Sequence, residues 1–174
     1  MVSEGPERGP DWQAAGYYPG SNDAAHPGPA SVELPDAIRS AIVAHALASV
    51  PNEACGLIIG DRPAAEGGRA LRWVPLANTA ASPYRYEIEP EDLLRLTIEL
   101  DDADQVIWAI VHSHVASPAR PSPTDVRRSF YPDALYVIVS LRQEEADAVT
   151  GAESVRAWRI VAGAVHEVEV RPEP

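Results

Sequence analysis

One short stretch limits what this chain can become. Val106-Ile107-Trp108-Ala109-Ile110-Val111 is an uncharged apolar run rich in β-branched residues, and it leads directly into His112-Ser113-His114. A run this short reads as a buried strand rather than a helix. Side chains alternate along a strand, so two histidines one residue apart present both imidazoles on the same side of the pleat. Asp125 lies beyond a Pro-containing loop, at the start of a predicted helix, where a bend can return its carboxylate to the imidazoles. Two ring nitrogens and one carboxylate leave a fourth tetrahedral position for water, which is the pattern of a catalytic zinc site rather than a closed structural one.

A His-x-His pair alone is weak, because single histidines are mostly surface or core residues. The spaced Ser122 and Asp125 strengthen it. So does Pro51-Asn52-Glu53-Ala54-Cys55-Gly56-Leu57-Ile58-Ile59-Gly60 upstream. A glutamate directly before an apolar strand is an awkward place for a charge unless a polar site uses it.

Glu53, then His112-Ser113-His114, seven residues, Ser122, two residues and Asp125 together resemble the signature of the JAMM (MPN-plus) metalloproteases at every position. The resemblance extends over roughly Leu34 to Val170. It implies an α/β (α+β) chain with the cytidine-deaminase-like MPN fold, a central mixed β-sheet flanked by helices. The implied activity is that of a zinc metallopeptidase or isopeptidase acting on ubiquitin-like C-termini. The sequence is most similar to the short actinobacterial members that release cysteine from a sulfur-carrier protein. The shared features are the Glu-Ala-Cys-Gly segment, Ala116 and Ala119, Pro121-Ser122, Thr124-Asp125-Val126 and Pro132-Asp133-Ala134. One departure is Val115, where many members carry proline.

The chain has 174 residues, 45% of them hydrophobic, which suits one domain with a real core. A formal net charge of −12 disfavours nucleic acid and anionic membrane as partners, since both ask for basic patches. No run reaches the length of a membrane span, and no secretory signal is evident. One cysteine excludes an internal disulfide and suits a reducing compartment, so a cytoplasmic location is expected. Cys55 reads as a small buried hydrophobe in preference to a reactive thiol.

Residues 1–30 are dense in Gly, Pro, Ala and acidic residues, without helical or strand period, and are expected to be a disordered tail ahead of a catalytic domain at 31–171. Within the tail, Trp12, Tyr17 and Tyr18 are either a docking patch or solvated, and His26 is a poor ligand candidate. Asp36 opens a helix with Ile38 and Ile42 on its apolar face, ended by Val50-Pro51. His45 lies beside that face and reads as a core or boundary residue.

A strand at Cys55–Gly60, a loop at 61–68 and an edge or bulged strand around Pro75 follow. Tyr84-Arg85-Tyr86-Glu87-Ile88 alternates like a short strand. It could offer a free edge to an extended substrate tail, or its aromatics could simply pack the sheet. A second helix begins at Glu89-Pro90. The acidic group Asp101, Asp102 and Asp104 after it reads as a solvated helix end rather than a metal site. A short helix over 124–130, a buried strand at 134–141, a polar loop at 143–150 and a hairpin turning at Ala162-Gly163 complete the chain. His166 in that hairpin is not expected to be a ligand.

The resemblance implies one Zn²⁺ per chain held by His112, His114 and Asp125, with Glu53 as general base and Ser122 donating to the oxyanion. Ser122 also fits an N-cap, since a carboxylate three residues on makes a capping-box pattern. Glu53 could be a structural acceptor instead. The implied partner is a ubiquitin-like sulfur carrier with a C-terminal Gly-Gly. Arg120, Arg127 and Arg128 flank the motif as a local basic patch for an acidic carrier. Cleavage of lysine isopeptides is the alternative activity, and a metal-free scaffold of the same fold is the alternative class. Oligomeric state stays open.

Overall fold

The computed structural model describes residues 28–142 and 154–173. Trp12, Tyr17, Tyr18, His26 and the polar loop at 143–150 lie outside them. The element order is β1 (Ser31–Leu34), α1 (Asp36–Ser49), β2 (Cys55–Gly60), a 3₁₀ turn (Ala64–Glu66), β3 (Ala70–Leu76), α2 (Pro90–Asp102), β4 (Val106–His114), α3 (Pro123–Arg127), β5 (Leu135–Ser140), β6 (Ser154–Val161) and β7 (Ala164–Pro172).

The strands form one mixed sheet in the order β1-β7-β6-β5-β4-β2-β3. β1/β7 and β4/β5 pair in parallel, and the other pairs are antiparallel. The apolar run becomes β4, flanked by β2 and β5. All of its residues after Val106 are buried, as expected for a strand covered on both faces. Pro75 sits on β3, which among the described residues lies at the sheet edge and pairs with β2 alone, the place where a strand tolerates a missing N–H.

Each face of the sheet has its own core. One gathers Ile38, Ile42 and Ala46 of α1 against Ile58, Val111, Val137 and Val139. The other gathers Leu96 and Leu100 of α2 against Leu57, Ile59, Ile110, Tyr136, Ile138 and Trp158. The β2/β4 register shifts at Ile58/Ile59, and beyond it Ile110 belongs to the α2 face while Val111 belongs to the α1 face. Period-two alternation then carries His112 and His114 onto the α2 face.

One element was not anticipated and two expectations are corrected. Ser31–Leu34, ahead of α1, is a strand; only two alternations, Val32 and Leu34, precede Pro35, too few to reveal it. The third helix ends at Arg127, not at 130. Residues 84–88 form no strand, because their main-chain groups bond to Asn78 and Thr79 rather than to a ladder partner. The β6–β7 hairpin turns on Ala162 and Gly163, both with positive φ, which suits the twist of the strands it joins.

Candidate metal centre and active site

Strand β4 ends on the two histidines, and the loop after it is tied down carbonyl by carbonyl. Ser140 Oγ donates to the Ser117 carbonyl at 2.8 Å, and Trp158 Nε1 donates to that of Ala119 at 2.9 Å. Between them, His114 Nδ1 lies 2.6 Å from the Pro118 carbonyl. A carbonyl can only accept, so Nδ1 carries the proton and Nε2 keeps its lone pair.

The loop leads to Ser122, which caps α3. Its Oγ accepts from Asp125 N at 3.2 Å, and its own N donates to Asp125 Oδ2 at 2.6 Å. This reciprocal capping box turns the Asp125 carboxylate back to the histidines.

The donor atoms converge. His112 Nε2 and His114 Nε2 are 3.1 Å apart, and Asp125 lies 3.5 Å from the first through Oδ1 and 3.6 Å from the second through Oδ2. Donors around a tetrahedral zinc at roughly 2.0–2.1 Å stand about 3.3 Å from one another, so this donor set fits that ion. Two nitrogen lone pairs this close also repel unless a proton or a cation lies between them. Among the described residues, this is the group of His, Cys, Asp or Glu side chains with metal-ligand spacing; the Asp101, Asp102 and Asp104 cluster forms none.

The three groups shift one another in different directions. Burial opposes the charge on Asp125, yet its bonds to His112, His114 and Ser122 hold its carboxyl far below the usual carboxylate range. Burial pushes His112 down, toward the neutral ring a metal needs. His114 is also penalised by burial, but its bonds to Asp125 and the Pro118 carbonyl and the nearby charge of Glu53 raise it overall.

Glu53 is 5% exposed, immediately before β2. Burial pushes its carboxyl up to about 7, with His114 pulling it down and Asp125 pushing it up, so its charge is felt at the same centre. Its neighbour Ala54 is laced to the residue between the histidines: Ala54 N donates to Ser113 Oγ at 2.8 Å, and Ser113 N donates to the Ala54 carbonyl at 3.0 Å. Gly56 allows the edge strand to close in, since a Cβ there would stand 2.4 Å from the Val74 carbonyl and the Trp73 ring.

Cys55 is fully buried, and burial pushes its thiol up to about 12, which rules it out as a nucleophile at neutral pH. His45 packs near Trp73, and His166 is exposed on β7; neither joins the donor set. Arg120, Arg127 and Arg128 are exposed, with the Arg120 guanidinium 6.0 Å from the Trp158 ring centroid.

Sequence reasoning missed Tyr86 and Asn78. The Tyr86 ring stacks on His112 at 4.6 Å with 23° between planes. Asn78 bonds to the main chain of Glu53 and of the loop that carries Tyr86. An Asn two residues past the end of β3, at the start of a turn, was the available signal, but turns commonly contain Asn.

The profile of the family described as prokaryotic homologs of the JAB domain matches residues 35–161. The chain belongs to this family, the JAMM type of hydrolase its signature resembles. The JAB-family chain is 40% identical over 132 residues to a CysO-cysteine peptidase of Mycobacterium tuberculosis, covering 75% of this chain and 84% of the relative. It is 33% identical over 107 residues to a desampylase of Haloferax volcanii, covering 59% and 75%. A solution structure of a Desulfitobacterium hafniense protein superposes with a TM-score of 0.68 at 31% identity, over 82% of this chain and 92% of that one. Among the described residues, no helix is long and apolar enough to cross a membrane.

Proposed function

We propose that residues 31–171 form a zinc-dependent hydrolase that cleaves the amide after the C-terminal glycine of a ubiquitin-like sulfur-carrier protein and releases cysteine in the cytoplasm. The observation that carries the proposal is the convergence of His112, His114 and Asp125 beside the buried carboxyl of Glu53. The peptidase relative, matched over most of both chains, supports the substrate class.

His112, His114 and Asp125 would hold the metal. When bound, zinc acts as a Lewis acid and lowers the pKa of water toward about 7. Glu53 takes a proton from the attacking water as its oxygen adds to the glycine carbonyl carbon. The same carboxyl then delivers that proton to the departing amine as the C–N bond breaks, leaving a carrier carboxylate and a free amino acid. A carboxyl raised to about 7 by burial can take up a proton in the first half of that role and give it up in the second. Ser122 Oγ accepts from Asp125 N, and its hydroxyl also bonds to the Asp125 carboxylate; in the reaction that hydroxyl would turn to donate to the developing oxyanion while Oγ keeps accepting from Asp125 N. The capping and catalytic readings of Ser122 are therefore compatible.

Two relatives named desampylases, of which one covers 59% of this chain, favour a second substrate, a lysine isopeptide. The test is mass spectrometry on two purified substrates: a Gly-Gly-ended carrier bearing cysteine on its terminal carbonyl, and the same carrier joined to a lysine side chain. Faster turnover of the cysteine adduct is expected, and exclusive cleavage of the lysine conjugate overturns the cysteine reading. A metal-free scaffold requires neither substrate to be cut.

A further inference from the structure

The two ligand histidines are held by different means. His114 has a carbonyl partner for its second ring nitrogen. His112 Nδ1 is buried without a partner among the described residues, so nothing hydrogen-bonds that ring into its angle from behind. Ring orientation in a metal site is normally set by such a second bond. Here the Tyr86 face lies against His112 instead.

Tyr86 sits on a segment with no strand ladder, packed on the α2-face core and bonded through Thr79 to the Glu87 carbonyl, and Asn78 holds it on both sides of the ring. Asn78 uses all four of its hydrogen-bonding positions. Its Nδ2 donates to the Glu53 carbonyl at 2.9 Å and to the Arg85 carbonyl at 3.1 Å. Its Oδ1 accepts from Ala80 N at 3.1 Å and from Glu87 N at 3.0 Å. Arg85 and Glu87 are the two neighbours of Tyr86, so the amide clamps the main chain on both sides of the stacked ring. The same loop receives Glu53 N at the Ser82 carbonyl, 2.9 Å away.

We infer that Asn78 is a positioning residue that fixes the general base Glu53 and, through Tyr86, the ligand His112 in one geometry. The inference rests on the proposed role of Glu53. No other residue type fits the post: Asp lacks the two donors, Gln places its amide one methylene too far, and Ser reaches neither carbonyl.

The experiment uses full-length, zinc-loaded protein and the carrier–cysteine adduct. Asn78→Asp keeps both acceptor contacts and removes both donors. It is expected to lose about 10²-fold in kcat, the scale of a misplacement near 1 Å, while KM stays nearly unchanged. Thr79→Val, which removes one bond from the same loop to the Glu87 carbonyl without reaching Glu53, is the control and stays within about threefold of wild type.

A double-mutant cycle separates positioning from bulk stability. In a Glu53→Asp background, Asn78→Asp is expected to cost less than about threefold more. In the metal-free protein, the ring-current shift of the His112 ring protons disappears in Asn78→Asp and persists in Thr79→Val. An equal loss in both backgrounds, or an unchanged His112 shift, overturns the inference. If Asn78→Asp does not fold, Asn78→Ser takes its place with the same expectations. Unimpaired turnover of Glu53→Asp and Glu53→Gln overturns the general-base reading itself, a result distinct from failure of Asn78 alone.

Discussion

The two sides of this site are built by opposite means. The β4–α3 side stands on a sheet ladder between two neighbours, three consecutive loop carbonyls with side-chain donors around them, and a capping box. The Asn78–Ile88 side has no ladder and is held by the Asn78 amide, the Thr79 turn, the Ser82 carbonyl that accepts from Glu53 N, and the packing of Tyr86 and Ile88. Redundant support tolerates the loss of any one bond, while a loop in which one amide makes four of the bonds is sensitive to losing that amide. The comparison teaches that the proposed ligand set is rigid by construction, and that the alignment of the proposed base and of the Tyr86 ring relative to it rests on fewer main-chain contacts.

The largest effect is expected where one residue serves both metal and fold. Asp125→Ala removes a proposed ligand and half of the capping box, so on this account the protein loses its zinc and all measurable turnover; the cap alone costs about 1 kcal/mol in denaturant unfolding. Retention of stoichiometric metal would break the first half of the comparison.

Glu53→Gln should keep the metal and lose roughly 10²–10⁴-fold in kcat. It also carries a pH signature in chelator-treated protein. Burial disfavours the Glu53 charge and pushes its carboxyl up to about 7 in the folded chain, against 4.5 for an ordinary glutamate. Folding is therefore favoured fully below pH 4.5 and progressively less as pH rises to about 7, where ionising the buried group opposes it. The variant should match wild type in thermal midpoint at pH 4.5 and exceed it at pH 8. Equal midpoints at both pH values would mean that the carboxyl is not held in a desolvated position.

Ser122→Ala should cost about 3–4 kcal/mol in kcat/KM if the hydroxyl serves the oxyanion, and only the cap energy in stability. A stability loss without a kinetic loss would reduce Ser122 to its cap. The smallest effect concerns the surface: charge reversal at Arg120, Arg127 and Arg128 should raise KM for an acidic carrier severalfold, with kcat unchanged and the effect fading at high salt. An unchanged KM would remove these arginines from the docking surface.

How much was readable beforehand follows the same division. β4, its histidines, the capping pattern at Ser122-Asp125 and the buried strand after Glu53 have local signals, in apolar runs, period-two alternation and cap chemistry, and the fold placed these elements as expected. Three features had no such signal. β1 is two alternations long and is defined by its partner β7, far away in the sequence. Tyr84–Ile88 alternates like a strand, but Asn78 satisfies the main chain that a ladder would have used. The Tyr86 stack on His112 spans 26 positions and depends on that loop, so no window of sequence contains it.

The most direct test is zinc stoichiometry in protein stripped with chelator and reloaded, measured by elemental analysis for wild type, His112→Ala, His114→Ala and Asp125→Ala, each checked for fold by circular dichroism. The account predicts one zinc per wild-type chain and none retained by any of the three folded variants. A wild-type protein that retains no zinc, or folded variants that retain it undiminished, would contradict it.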